Sequence, residues 1–191
     1  MTKAYANDLQ DIVRHKKIAD WALKRLNELE VKSWNKKWNK DKELRRKELL
    51  AQRDKLAPLD IWANFPAYTK AVEQSKLGNC WERGTVFAQY ASEYPEIGAS
   101  HIYRVEAKGW DHVWSVLTTK KLKVDKYYDL TDLGYSGVVM DGWSEDWWYP
   151  NLDNTAVLKI GCWRFGTPFA VGLRVNIQSK YRQFKVQAKC C

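Results

Sequence analysis

Residues 73–90 read EQSKLGNCWERGTVFAQY. Polar residues and a Gly-Asn pair lead up to Cys80. From there Val86, Phe87, Tyr90, Ala91 and Tyr94 recur at helical steps until Pro95 closes the segment. The spacing predicts a helix that begins at Asn79 or Cys80, with Gly78 supplying a tight turn into it. A cysteine in the first helical turn stands beside backbone N–H groups that carry partial positive charge. Such a setting can lower a thiol from about 8.5 into the range of roughly 3.5–7.5, where it becomes a nucleophile.

Upstream, residues 3–30 predict an amphipathic helix with Tyr5, Leu9, Ile12, Ala19, Leu23 and Leu26 on its apolar face. A second helix is predicted over 33–56, with Ser33 as N-cap and Pro58 as its stop. The two form a helical hairpin, an N-terminal extension over residues 1–58 that precedes a domain over 59–191. A short helix is predicted over APLDIWANF, ending near Pro66, and another over Tyr68–Ser75. After Gly98 the period changes to two. SHIYRVEA, DHVWSVLTT, GVVM, TAVLKI, FAVGLRVNI and YRQFKVQA predict a set of about six strands. Helices first and strands second imply an α+β fold, an antiparallel sheet packed on one side by helices.

The chain has 191 residues, 45% of them hydrophobic, enough for a substantial core. It lacks an apolar run of about 18 residues, so no membrane span is predicted. The opening MTKAYANDLQDIVRHKK has no apolar signal core, so export would use a route without a cleaved signal peptide. The net charge is +9, with much of the basic weight in KSWNKKWNKDKELRRKELL, Lys32–Leu50. These basic helices suit an anionic membrane surface. Asp41, Glu43 and Glu48 interrupt the run, which favours a solvated helix face over a nucleic-acid grip.

The four cysteines are Cys80, Cys162, Cys190 and Cys191. No C-x-x-C pair is present and there are three histidines, so neither a zinc site nor a disulfide framework is expected. A reducing compartment follows from that usage, and no cofactor is implied. Cys162, in KIGCWRFG, reads as a buried strand residue. The closing KCC reads as a frayed tail with two exposed thiols, although it resembles ends that receive lipid groups.

A cysteine nucleophile needs a base. His15 lies in the basic first helix and is expected on the surface. His101 opens a strand. His112, in GWDHVWSVL, begins a well-patterned strand that can face a helix. Asp141 ends the strand GVVM and can orient an imidazole. Cys80, His112 and Asp141 thus form a triad candidate of nucleophile, general acid/base and orienter. Taken singly, each also has an ordinary structural explanation as core thiol, hydrogen-bonding histidine or turn aspartate.

The segment QSKLGNCW resembles the signature of papain-like cysteine proteases, in which a Gln stands six positions before the nucleophile, a Gly two before it and a Trp after it. Gln74, Gly78, Cys80 and Trp81 occupy those places. The resemblance implies an oxyanion hole made by the Gln74 side chain and the Cys80 backbone N–H. DHVWSV looks like the family's histidine strand. DGWSEDW looks like its Asn-Ser-Trp segment, with Asp141 in place of Asn and with Trp143 and Trp147 lining the site. The same order of Cys, His and Asp is similar to that of transglutaminases. Only 32 residues separate Cys80 from His112 and 29 separate His112 from Asp141, far less chain than a full papain-like protease has. This shortness resembles reduced papain-like toxins and secreted bacterial effectors, many of them deamidases.

The resemblance therefore implies a papain-like core and a thiol acyl-transfer enzyme that deamidates Gln or Asn on a target protein. It would be secreted without a cleaved signal peptide, act in the cytoplasm of a target cell, and have a cognate immunity protein or chaperone as a further partner. A cysteine protease or peptidoglycan amidase using the same triad is the alternative, with transglutamination as a variant. A non-catalytic basic binding module is the remaining reading.

Overall fold

Alternation in residues 101–107 and 113–118 produces a pair of strands, β1 (His101–Ala107) and β2 (Val113–Thr118), joined antiparallel from His101 opposite Thr118 to Glu106 opposite Val113. The computed structural model describes residues 3–33, 41–56, 64–108, 111–152 and 183–190. Among these the sheet has six strands in the order β3-β6-β1-β2-β4-β5, all paired antiparallel. β3 is Tyr127–Asp129, β4 Val138–Asp141, β5 Asp146–Trp148 and β6 Gln183–Lys189. Four helices precede the strands: α1 (Lys3–Glu28), α2 (Lys42–Leu56), α3 (Phe65–Ser75) and α4 (Cys80–Ser92). This is the α+β order the sequence predicts. The segments TAVLKI and FAVGLRVNI, Cys162, Cys191 and the stretch 57–63 lie outside the described residues.

The two faces of the sheet carry different cores, as period-two side chains require. On one face Ile102, Leu117, Val138, Met140 and Ala188 pack against Val86, Phe87 and Ala91 of α4 and against Ile18, Ala19, Ala22 and Leu26 of α1. The opposite face packs Tyr103, Val105, Trp114, Val116, Phe184 and Val186 under Leu122, Leu130 and Leu133, from the chain between β2 and β4. α1 therefore shares its core with the helix that bears Cys80. Among the described residues no helix is long and apolar enough to cross a membrane.

Several local expectations are corrected. Leu9 stands 41% exposed, because the buried stripe of α1 runs through His15, Ile18, Ala19, Ala22 and Leu26. His15, expected on the surface, is fully buried. One ring nitrogen of His15 meets the Ser136 carbonyl at 2.6 Å and the other the Ser100 hydroxyl at 2.8 Å. Ser33 is not the N-cap of α2. Its hydroxyl donates to Asn79 Oδ1 at 2.7 Å, and α2 begins at Lys42. Pro66 opens α3 rather than ending a helix: it sits in the first turn after the Asn64 cap, where a missing N–H costs nothing.

Candidate active site

Cys80 is the first residue of α4 and is half-buried. Asn79 before it is extended (φ −100°, ψ −158°). Its N–H donates to Glu82 Oε2 at 2.9 Å, the reach-back half of a capping box. Gly78 is required by crowding: a Cβ there would lie 2.7 Å from Cβ of Glu82 and 3.2 Å from Val31. α4 lies close on β2. A Cβ on Gly84 would sit 3.4 Å from the Trp114 Cα, and Ser115 donates to the Gly84 carbonyl at 2.6 Å. Docking the helix on this strand sets Cys80 against the residue that leads into it.

That residue is His112, buried just before β2. Its Nε2 donates to Asp141 Oδ2 at 2.9 Å, and the ring also makes a hydrogen bond with the Cys80 thiol. Because Nε2 is taken by Asp141, Nδ1 is the nitrogen left for sulfur. Asp141 closes β4 and is buried. Its Oδ1 accepts from the backbone N–H of Trp143 at 2.9 Å and of Ser144 at 3.4 Å, so the buried carboxylate is held by donors on both oxygens. The Trp143 ring stands edge-on to the imidazole, with centroids 6.3 Å apart at 85°.

Burial alone pushes the His112 imidazole down, but the charge and hydrogen bond of Asp141, then the Cys80 contact, outweigh it and push the imidazole up to about 10. Burial likewise pushes the Asp141 carboxyl up. The His112 charge and hydrogen bond, with the two backbone donors, override that and hold it below the ordinary carboxylate range. The raised imidazole thus stands between the Asp141 carboxylate and the Cys80 thiol, placed to exchange a proton with the sulfur.

The structure brings Cys80, His112, Asp141 and Trp143 together. Two other expected residues, Trp147 and Gln74, lie elsewhere. Trp147 is spent on α1: its indole N–H donates to Asp20 at 3.0 Å and Lys16 lies 5.3 Å over its ring. Gln74 is exposed on the last turn of α3, where with Gln52, Lys55 and Leu56 it lines a cleft of about 660 Å³ that does not include the triad among its walls. His101 pairs with Thr118 at the far end of the β1–β2 ladder from His112. Trp81, next to the nucleophile, is turned toward cations, with the Arg104 guanidinium 4.7 Å and that of Arg53 5.8 Å from its ring.

Three charged residues escape a reading by motif. Arg83 is buried on α4. It donates to the Gly142 carbonyl at 3.0 Å and to Glu145 at 2.7 Å, tying the turn after Asp141 to the nucleophile helix. Arg53 of α2 grips Glu82 with two bonds of 2.6 and 2.9 Å. The N-x-x-E spacing of Asn79 and Glu82 is the one local signal that could have found this set. No known protein family, curated protein or solved structure matches the chain.

Proposed function

We propose that this protein is a papain-like thiol acyl-transfer enzyme that deamidates Gln or Asn side chains of a target protein. The observation that carries the reading is His112, hydrogen-bonded to Asp141 on one side and to Cys80 on the other. The Cys80 thiolate attacks the carboxamide carbon and forms a carbon–sulfur bond. The Cys80 backbone N–H, in the first turn of α4 where it has no intrahelical acceptor, is the donor for the resulting oxyanion. His112 gives its proton to the departing nitrogen, the C–N bond breaks, ammonia leaves and a thioester remains. Neutral His112 then takes a proton from water, hydroxide adds to the thioester, and the carboxylic acid and the thiolate separate. The sum is water consumed and ammonia released.

Deamidation is favoured over peptide cleavage by the short chain between nucleophile, base and orienter. Those 61 positions are spent on α4, β1, β2, β3 and β4, which leaves little to flank a long peptide cleft. A protruding carboxamide needs access only to the half-buried Cys80. On this reading the protein acts in the cytoplasm of a target cell, and an immunity protein or chaperone would mask the site in the producer. Incubation with an N-protected Gln-Gly dipeptide and with whole-cell protein tests it. Ammonia release and a gain of about one dalton on intact proteins, lost in Cys80→Ala and His112→Ala, are expected. Fragments would move the assignment to protease, amine adducts to transglutaminase. Activity in Cys80→Ala equal to the parent would end the enzyme reading.

A further inference from the structure

The N-terminal helices have no role in the chemistry above, yet they meet the nucleophile's turn directly. Residues 76–79 lead into Cys80, and residues 32–33 strap them. The Lys32 N–H donates to the Lys76 carbonyl at 2.7 Å, the Gly78 N–H donates to the Lys32 carbonyl at 3.1 Å, and the Ser33 hydroxyl holds Asn79. From the other side comes α2. Glu82, fully buried, caps the Asn79 N–H with one oxygen, and the Arg53 fork binds both oxygens. Arg53 is the described ion-pair partner of that carboxylate. We propose that Arg53, though remote in sequence, is a positioning residue of the active site: it neutralises and orients Glu82, so that docking of α2 is what makes Cys80 reactive.

The inference rests on the thiol-enzyme reading and adds a regulatory element to it. Two consequences follow from losing Arg53. The cap on Asn79 loosens, because an isolated buried carboxylate turns toward water or takes a proton. Where it stays ionised, its negative charge stands two residues from the sulfur without its hydrogen-bonded cation, with Arg104 of β1 and the Tyr68 phenol left as the groups that feel it, and opposes the thiolate. Arg53 also feels Cys80: burial pushes its guanidinium down, while the bond and charge of Glu82, and more weakly the charges of Tyr68 and Cys80, raise it overall. Removal of α2, or its displacement by a partner, would therefore switch the site off while leaving triad residues in the chain.

The test is alkylation of Cys80 by iodoacetamide in the full chain, followed by peptide mass spectrometry from pH 5 to 9. Parent, Arg53→Met, Arg53→Lys and the double variant Arg53→Met/Glu82→Gln are compared, with thermal unfolding as a check of the fold. Arg53→Met is expected to slow alkylation at pH 6 roughly tenfold, with the deficit fading toward pH 9. The double variant, which keeps an acceptor for Asn79 and removes the stranded charge, should recover most of the rate. Arg53→Lys, with charge but no fork, should fall between. Arg53→Met matching the parent at pH 6, or slowed equally at every pH without recovery in the double variant, overturns the proposal. If Arg53→Met does not fold, Arg53→Lys decides: alkylation equal to the parent overturns it, and a slower rate at pH 6 supports it. A parent Cys80 no faster than Cys190 and indifferent to His112→Ala sinks the thiol-enzyme reading itself, an outcome read without any Arg53 variant.

Discussion

At the scale of single residues, Asp141 governs the charge state of the site. Its carboxylate is what holds a proton on a buried imidazole that burial alone would strip. Asp141→Asn keeps the shape and the Trp143 and Ser144 contacts but removes the charge. The expected result is a fall in the His112 titration midpoint from about 10, followed by the imidazole proton signals in NMR, together with a loss of roughly 10²–10⁴-fold in ammonia release near neutral pH. A midpoint unchanged in Asp141→Asn would mean that some other group sustains the imidazolium. Trp143 has a different part: its ring stands edge-on to the imidazole, and its backbone N–H holds the Asp141 carboxylate.

At the scale of elements, the helix–strand junction decides where the nucleophile stands. Gly78 is the tightest point of it, with Glu82 and Val31 filling the space a side chain would need. Gly78→Ala pushes directly on a Cβ rather than on a flexible tip, so destabilisation of about 1–3 kcal/mol is expected from urea unfolding, with slower Cys80 alkylation. Much of this junction was legible in the sequence. Gly-Asn before a cysteine, helical spacing after it, and a histidine at the head of an alternating run are all local patterns. What stayed hidden is non-local. Trp147 satisfies the same spacing as Trp143, but its indole meets Asp20, more than a hundred residues away, and nothing in the local wording announces α1 as its neighbour. Gln74 fits its motif position, yet α3 ends one residue later and leaves it on the α2 side. β3 and β5 have three residues each, too few for an alternation to register, and are defined only by their partners β6 and β4.

At the scale of the whole molecule, two buried histidines pull stability in opposite directions along the pH axis. His15 is lowered, burial outweighing its bond to the Ser136 carbonyl, with nearby Arg14 lowering it further and Asp11 opposing. Below about pH 6.5 the unfolded chain takes up a proton there that the folded chain resists, so stability falls as pH falls. His112 is raised, so the folded chain keeps a proton that the unfolded one has lost. Its contribution is complete below about pH 6.5 and disappears as pH rises toward 10. Asp141, held low, adds stability above the ordinary carboxylate range that is lost only in stronger acid. Urea midpoints should therefore peak near pH 6.5. His15→Gln should flatten the acid limb and His112→Asn the alkaline one, and a midpoint constant from pH 5 to 9 would contradict both assignments.

The position of β6 bears on how such a molecule is made. It is the last described strand in the chain, yet it sits inside the sheet between β3 and β1, with Tyr103 facing Lys189. Until those distant residues arrive, β1 presents a bare edge and β3 has no neighbour to define it. The chain must therefore keep a half-built sheet from sticking to others while it waits for a long-range closure, which is slow because of the loop it spans. Assembly, rather than the strength of the finished contacts, is thus the stage at which a chaperone would have the most to offer.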